Sequence, residues 1–196
     1  YNSPMPTSPH RALYTVDQVR ALERGALDAM AVSNHELMLR AAHAALDSLR
    51  RHWPQAARIA IHCGPGNNGG DGFLLGVLAR EAGLQVDVVA LIESSRGEAM
   101  QARAAWKAAG GRVRLWDDTE ALPQVDVHVD AMYGIGLNRA PDAAGAALIE
   151  AINASAIPVL ALDLPSGLSA DSGDCPGAVI RADVTVTFIA HKRWLH

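Results

Sequence analysis

A glycine-rich segment between an apolar run and a helical pattern most constrains what this chain can fold into. Residues 63–72 read CGPGNNGGDG and follow the strand-like run 58–62. Gly64, Gly66 and Gly69 fit the pattern G-x-G-x-x-G in the strand–turn–helix setting where that pattern has a mechanical reason. Glycine permits a tight turn, and the free N–H groups at a helix start attract phosphate. The segment therefore predicts a phosphate-binding turn.

Three polar side chains distinguish this segment from a plain dinucleotide-binding turn. Asn67, Asn68 and Asp71 lie among the glycines, where such a turn rarely needs amide or carboxyl groups. We therefore expect the segment to hold an ion or to take part in chemistry, in addition to binding phosphate.

The composition is that of one globular domain. The chain has 196 residues, of which 49% are hydrophobic and 19% charged, and its net charge is −4. This charge gives no attraction to nucleic acid or to an anionic membrane, and no apolar run approaches the roughly 20 residues of a membrane helix. Residues 1–13 predict a flexible tail without an apolar signal core, so we expect a cytoplasmic protein.

The cysteines and histidines argue against a disulfide framework or a zinc site. The two cysteines, Cys63 and Cys175, are far apart in the sequence, and none of the eight histidines has the spacing of a zinc site. We interpret Cys63 as a small buried hydrophobic residue. His62 and His128 fall within predicted strands and are expected to be packed and hydrogen-bonded.

The hydrophobic pattern predicts an α/β fold. A capping box begins at Thr15, and a second helix is expected to start at Ser33 and to run to Trp53, before Pro54. Beyond it, apolar runs typical of strands covered on both faces alternate with helical stretches. We expect a Rossmann-like, doubly wound, mostly parallel sheet in three αβα layers, preceded by two helices. The predicted strands are 58–63, 86–92, 112–116, 125–129, 157–162 and 183–189, and the predicted helices lie near 71–83, 97–109 and 142–154.

Polar residues follow the predicted strands at the edge where such sheets bind ligands. Asp130 and Asp163 are about one β–α–β unit apart, so their carboxyls meet at one edge if their strands are neighbours. Helix capping would explain either residue alone, but the set Asn68, Asp130, Asp163 and Ser166 favours a polar site. Two close carboxylates require a cation between them or a proton on one of them. The oxygen-only donors suit K⁺, Na⁺ or Mg²⁺ rather than zinc or copper.

Three segments, in order, resemble the NAD(P)HX epimerases, the YjeF N-terminal domain family. They are GPGNNGGDG at 64–72, DAMYGIGL at 130–137 and DLPSG at 163–167, and the segment NHELMLRAA at 34–42 is similar as well. The resemblance extends from about Tyr14 to Lys192, so residues 14–196 are expected to form that domain. It implies epimerisation of the R and S forms of hydrated NADH and NADPH (NADHX and NADPHX) in cofactor repair, with a dehydratase as the functional partner.

The resemblance also implies roles for particular residues. Asp163 would lie at the hydrated nicotinamide as a general acid–base, and one K⁺ per subunit would be bound by Asn68, Asp130 and Ser166. Ring opening and transient loss of hydroxide are both open as routes. Two segments would contact the dinucleotide, and they are Asn67, Asn68, Gly69, Gly70 and Asp71, and Gly134, Ile135, Gly136, Leu137, Asn138, Arg139 and Ala140.

The family's pattern would continue beyond the last residue, His196, through a further short strand. We therefore expect a chain that is cut short, or the front part of a longer protein fused to a dehydratase. The resemblance also implies a homodimer.

Two charged positions are assigned no role. Glu93 lies near the position where an acidic residue binds ribose in NAD-binding folds, but a solvated strand end is at least as good an interpretation. Lys192, in the basic segment 191–193, is expected to be a solvated chain end.

Two other functions compete with the epimerase. An NAD(P)-dependent oxidoreductase would share the glycine pattern, but the sequence has no Tyr-x-x-x-Lys or Cys/His set for hydride transfer. A non-catalytic dimeric scaffold, of the kind that related domains form in mRNA decapping, need not keep the site. Its polar residues are all present: Asn68, Asp71, Asp130, Asp163 and Ser166.

Overall fold

Helices and strands alternate along the described chain, after two opening helices. The computed structural model describes residues 12–93 and 97–193. Residues 1–11 of the predicted tail, residues 94–96 beside Glu93 and residues 194–196 lie outside the described residues. The elements are α1 Val16–Met30, α2 Asn34–His52, β1 Arg58–Cys63, α3 Asn67–Glu81, β2 Gln85–Ala90, α4 Glu98–Ala108, β3 Val113–Leu115, β4 Val127–Ala131, α5 Ala143–Ala154, β5 Val159–Leu162 and β6 Val184–Val186.

The strands form one parallel sheet in the order β3-β2-β1-β4-β5-β6. This order confirms the predicted doubly wound α/β fold. The strand order reverses between β1 and β4, and ligands bind at such a reversal, beyond the carboxyl ends of the strands. Cys63 is aligned with Ala131, and the Gly64 N–H donates to the Ala131 carbonyl at 3.0 Å. The two loops that leave β1 and β4 therefore start side by side.

The opening helices begin as the sequence predicts. The Thr15 hydroxyl accepts a hydrogen bond from the Gln18 N–H at 3.3 Å, and the Gln18 side chain accepts from the Thr15 N–H at 2.9 Å. This confirms the capping box of α1. The Ser33 hydroxyl accepts from the Glu36 N–H at 3.1 Å and caps α2 in the same way.

Hydrophobic residues cover both faces of the sheet. Ile61 of β1 packs in one buried cluster with Phe73 of α3. Val159 of β5 packs in a second cluster with Ile149 of α5. The register of the strands places Val159 and Ile61 on opposite faces. Helices therefore lie on both sides of the sheet, as the three-layer prediction requires.

The buried residues between these layers behave as the sequence predicts. His62 and His128 are both fully buried, and His62 Nε2 lies 3.0 Å from His128 Nδ1. Burial lowers the pKa of His62 well below its usual range and that of His128 to about 4, so both rings are neutral at pH 7. Burial also raises the pKa of the Cys63 thiol, which leaves it an inert apolar group.

Helix α3 begins at Asn67 rather than near residue 71, so the sequence prediction placed too much of the glycine-rich segment in a loop. Neighbouring elements press against the glycines of its first turns. A Cβ at Gly70 would lie 2.7 Å from the Met38 sulfur, and one at Gly72 would lie 2.6 Å from the Ala131 Cβ. Close packing therefore outweighs the low helix propensity of glycine here.

Several strands are shorter than their apolar runs. Strand β6 ends at Val186 rather than near residue 189, because its partner β5 ends at Leu162, which is aligned with Val186. No helix within residues 12–93 and 97–193 is long and apolar enough to cross a membrane.

Candidate functional site

A cavity of about 430 Å³ lies at the carboxyl ends of β1 and β4. Helix α1 forms one wall, and the start of α3 and the loop after β4 form two others. The predicted residues that line it are Asn67, Asn68, Asp71, Gly134, Ile135, Gly136, Leu137 and Asp163, and they are joined by Val19, Arg20, Glu23, Pro65, Gly66, Met132, Tyr133, Phe188, Ile189 and Lys192.

The turn before α3 is suited to an anion. Gly66 is the N-cap of α3, and no side chain caps this end of the helix. The first N–H groups of the helix therefore have no side-chain acceptor among the described residues, and the helix dipole is positive there. A Cβ at Gly64 would collide with the Met132 carbonyl oxygen, so glycine lets the two loops approach each other.

Asn68 is a buried amide without partners. Its side chain faces the cavity, the residue is 8% exposed, and within the described part of the chain neither its oxygen nor its nitrogen has a hydrogen-bond partner. A buried polar group in this state costs about 1–3 kcal/mol, which a bound ion or ligand would offset. The Asn68 amide is therefore available to bind an ion or a ligand in the cavity.

Asp130 and Ser166 link the loops after β4 and β5. The fully buried Asp130 carboxylate accepts hydrogen bonds from the Ser166 N–H at 2.7 Å, the Ser166 hydroxyl at 2.6 Å and the Met132 N–H at 3.2 Å. Burial raises the pKa of Asp130 to about 6, against the opposing effect of these hydrogen bonds. The Ser166 hydroxyl also accepts from the Tyr133 N–H at 2.9 Å. Strands β4 and β5 are neighbours, as the sequence interpretation requires.

Asp163 and Lys192 form a buried ion pair at the wall of the cavity. The side chain of Lys192 is 1% exposed and that of Asp163 is 13% exposed. The Lys192 ammonium donates to Asp163 Oδ1, to Thr187 Oγ1 at 2.7 Å and to the Phe188 carbonyl at 2.9 Å. Asp163 Oδ2 accepts from the Ile135 N–H at 3.3 Å, and the residue has a positive φ of 67°. Lys192 thus gives the carboxylate a fixed counter-charge.

The sequence prediction for Lys192 was wrong. Lys192 itself is buried, and the Tyr14 N–H donates to the His191 carbonyl at 2.9 Å beside an isolated bridge between Tyr14 and Lys192. The signal was the apolar run that precedes Lys192, since Val184, Val186 and Phe188 of this run pack against the main hydrophobic core. Sequence reasoning also missed Glu23 and Arg20 of α1, whose helix it placed without assigning a role.

The remaining predicted residues lie around the cavity rather than in it. Gly69 and Gly70 do not line it, because Gly69 packs against the backbone of Gly64 and Gly70 against Met38. Asn138 and Arg139 line a separate cavity of about 210 Å³. Ala140 packs near Gly177, and the exposed Glu93 lines neither of these cavities.

The described residues do not form a metal site of the kind that His, Cys, Asp and Glu side chains build for transition metals. Within residues 12–93 and 97–193, no group of three or more His, Cys, Asp or Glu side chains is placed to hold a metal ion. The oxygens of Asn68, Asp130 and Ser166 fit a cation that accepts amide, carboxylate and hydroxyl ligands. The unpartnered Asn68 carbonyl and the buried Asp130 carboxylate support this fit.

The chain belongs to the family described as YjeF-related protein N-terminus, whose model matches residues 34–194. Curated relatives of the chain are named NAD(P)H-hydrate repair enzymes or epimerases. The chain is 42% identical over 191 residues to the bifunctional NAD(P)H-hydrate repair enzyme Nnr of Escherichia coli, and this match covers 94% of the chain but 36% of the relative. The chain therefore spans little more than a third of that bifunctional relative.

Shorter relatives match over most of their length. The NAD(P)H-hydrate epimerase of Limosilactobacillus fermentum is 33% identical over 92% of the chain and 87% of the relative. That of Bordetella pertussis is 41% identical over 89% of the chain and 76% of the relative. The crystal structure of the yeast protein ynu0 (YNL200c) matches with a TM-score of 0.83 and 20% identity, over 93% of this chain and 82% of that one, which supports the fold.

Proposed function

We propose that this chain epimerises the R and S forms of hydrated NADH and NADPH. The observation that carries the proposal is the buried Asp163–Lys192 pair, which faces a cavity beside an uncapped helix start at the strand-order reversal. The shorter relatives support it, since they are named NAD(P)H-hydrate epimerase and the match covers most of their own length.

The dinucleotide would lie across the two loops. Its phosphates would bind at the start of α3, where N–H groups and the helix dipole attract anions. The residues of the two loops that line the cavity, Asn67, Asn68 and Asp71 on one side and Gly134 to Leu137 on the other, would contact it. In this pose Asn138 and Arg139 serve the part of the substrate that extends from the main cavity toward the neighbouring one.

One K⁺ per subunit would be held by Asn68, Asp130 and Ser166. When bound, the cation would neutralise the buried Asp130 carboxylate and satisfy the Asn68 amide oxygen. The residues themselves position the loops, because the hydrogen bonds from Ser166 to Asp130 and from Tyr133 to Ser166 tie together the turns after β4 and β5.

Asp163 would act as a general acid–base at the hydrated ring carbon. The Lys192 ammonium and the Ile135 N–H both donate to the Asp163 carboxylate and fix its orientation. A positioned carboxyl contributes about 10²–10⁴-fold to a proton-transfer step. Lys192 acts through its contact with Asp163, so its role is to position the base.

The product would pass to a dehydratase that restores the S form to NAD(P)H. The bifunctional names of the long relatives support a partner of this kind, fused or separate. A homodimer and residence in the cytoplasm stay predictions from the sequence.

Incubation of pure R-NADHX with the protein and K⁺, followed by separation of the epimers, tests the proposal. We expect the mixture to approach the R/S equilibrium faster than a protein-free control. An approach no faster than the spontaneous one would contradict the proposal, and oxidation of NAD(P)H with a small substrate would favour the oxidoreductase instead.

A further inference from the structure

A second carboxyl faces the same cavity as Asp163. Asp71 lies in the early turns of α3, is 9% exposed and lines both the main cavity and an adjoining one of about 320 Å³. The proposed function gives this residue only a contact with the substrate. The surroundings of Asp71 point to a role in proton transfer as well.

The two carboxyls have opposite surroundings. Asp163 has the Lys192 ammonium and the Ile135 N–H as donors. No hydrogen-bond donor among the described residues contacts the Asp71 carboxyl, which instead faces the like charges of Asp163 and Glu23. Burial first, and then these two acids, raise the pKa of Asp71 well above its usual range, against the opposing charge of Lys192. A carboxyl without donors beside one that is held by an ammonium and an N–H is the arrangement from which an acid and a base can be assigned.

The other charged groups around Asp71 do not neutralise it. Arg40 of α2 pairs with Glu36 of its own helix at 2.8 Å, and Glu98 of α4 accepts from the Asn34 amide at 2.8 Å. Lys192 is engaged by Asp163. The charged residues that line the two cavities, from every element around them, are Arg20, Glu23, Arg40, Glu98, Asp163 and Lys192.

We propose that Asp71 and Asp163 act together on the hydrated ring, with Asp71 as the acid and Asp163 as the base of a ring-opening epimerisation. This inference rests on the proposed epimerase function and assigns it a route that the sequence leaves open.

The opening step balances with these two groups. Asp163 takes the proton of the C6 hydroxyl, the C6–N1 bond breaks with its electron pair going to the ring nitrogen, and Asp71 protonates that nitrogen. The product is an open-chain aldehyde with an enamine N–H. Nothing is oxidised or reduced, and no water enters.

Closure reverses the same transfers after rotation about the C5–C6 bond. The nitrogen attacks the other face of the aldehyde carbon and returns its proton to Asp71, while the aldehyde oxygen takes the proton held by Asp163. Each carboxyl ends in its starting state. One acid and one base therefore serve both directions of an epimerisation.

An oxygen label tests the route. R-NADHX is epimerised in ¹⁸O-water, and the label in the S product is measured by mass spectrometry after subtraction of a protein-free control. Ring opening retains the original oxygen, so we expect S product essentially without label. Loss of hydroxide would place a solvent oxygen in every S molecule, and that result would overturn the proposed pair.

The pH dependence tests the role of Asp71. We expect an alkaline limb on which kcat/KM falls as pH rises through the raised pKa of Asp71 and this carboxyl loses its proton. Asp71→Asn should lower kcat/KM about 10²–10⁴-fold and remove this alkaline fall. Glu23→Gln should move the fall to lower pH, because it removes a like charge. Glu81→Gln, at the exposed far end of α3, is the matched control and should change neither.

Three results distinguish a failure of the role of Asp71 from a failure of the proposed epimerase function. An unchanged alkaline fall in Asp71→Asn, or in Glu23→Gln, would overturn the role of Asp71 while the epimerase function stands. A ¹³C NMR titration, with Asp71→Asn to assign the signal, reads the carboxyl directly, and titration in the ordinary range of aspartate would also overturn the pair. A wild-type protein without epimerase activity at any pH would overturn the proposed function itself.

Discussion

Replacing Lys192 by Met should destabilise the protein because it leaves the Asp163 carboxylate without its counter-charge. The two side chains are 1% and 13% exposed, so solvent screens the pair little. Removing one partner of a buried ion pair costs about 3–5 kcal/mol. Asp163 would keep its hydrogen bond from the Ile135 N–H, so we expect about 3 kcal/mol, at the lower end of that range.

A double-mutant cycle separates the ion pair from simple loss of packing. Asp163→Asn leaves the Lys192 ammonium with the Thr187 hydroxyl and Phe188 carbonyl as its acceptors. The double variant removes both charges, so its loss of stability should be about 2 kcal/mol smaller than the sum of the two single losses. Arg193→Met changes the exposed neighbouring residue and should stay within about 0.5 kcal/mol of the wild type.

Urea unfolding at pH 7, followed by circular dichroism, measures the free energies of unfolding of the wild type and the four variants. A Lys192→Met variant as stable as Arg193→Met would refute the reasoning, because the lysine would then carry no buried charge interaction. Strictly additive single and double variants would refute it as well, since they would show that the two groups do not sense each other.

Three further predictions concern the cation site and the loops. Because burial raises the pKa of Asp130 from 3.8 to about 6, the contribution of this carboxyl to stability in K⁺-free buffer should be full below about pH 4 and should be lost, by about 3 kcal/mol, as pH rises to about 6. Asp130→Asn should remove this part of the pH dependence in urea titrations. Gly134→Ala should abolish activity with little change in Tm, since its Cβ would lie 3.0 Å from Asp163 Oδ2. A Cβ at Gly136 meets nothing within 4 Å, so Gly136→Ala should keep more activity than Gly134→Ala. Equal epimerisation rates of the two variants would contradict this. K⁺ should raise the Tm of the wild type at pH 7 but not that of Asn68→Leu, and an equal rise in both would exclude Asn68 as a ligand.

The overall topology could be predicted from the sequence because its signals are local. Consecutive apolar positions in β1 and β5 mark strands covered on both faces, and hydroxyl caps at Thr15 and Ser33 mark helix starts. The general rule for such sheets then placed the binding site beyond the carboxyl ends of the strands, while the strand order itself is seen only in the structure. The ends of strands such as β6 could not be predicted, because they depend on where the partner strand ends.

The site could be predicted only in part. The strand-end position of Asp130 and the spacing of Asp163 from it placed both residues at one edge, and the structure joins Asp130 to Ser166 as well. Lys192 was missed because its burial depends on the final segment folding back against Tyr14. Periodicity along the chain does not contain that long-range contact.

The glycines show the same limit. The family resemblance assigned Gly69 and Gly70 to the substrate contacts, and the sequence alone could not distinguish this role from packing. In the structure Gly70 and Gly72 serve the packing of α3 on α2 and β4. Only the neighbouring atoms in the structure distinguish a glycine that faces a ligand site from one that allows a second element to pack closely.

The most direct test of the central claim compares wild-type protein with Asp163→Asn in the epimerisation of pure R-NADHX with K⁺. The account predicts that the wild type brings the mixture to R/S equilibrium well ahead of the spontaneous reaction. It also predicts that folded Asp163→Asn protein, verified by circular dichroism, is slower by about 10²–10⁴-fold. A wild type no faster than the protein-free control, or an Asp163→Asn variant with undiminished rate, would contradict it.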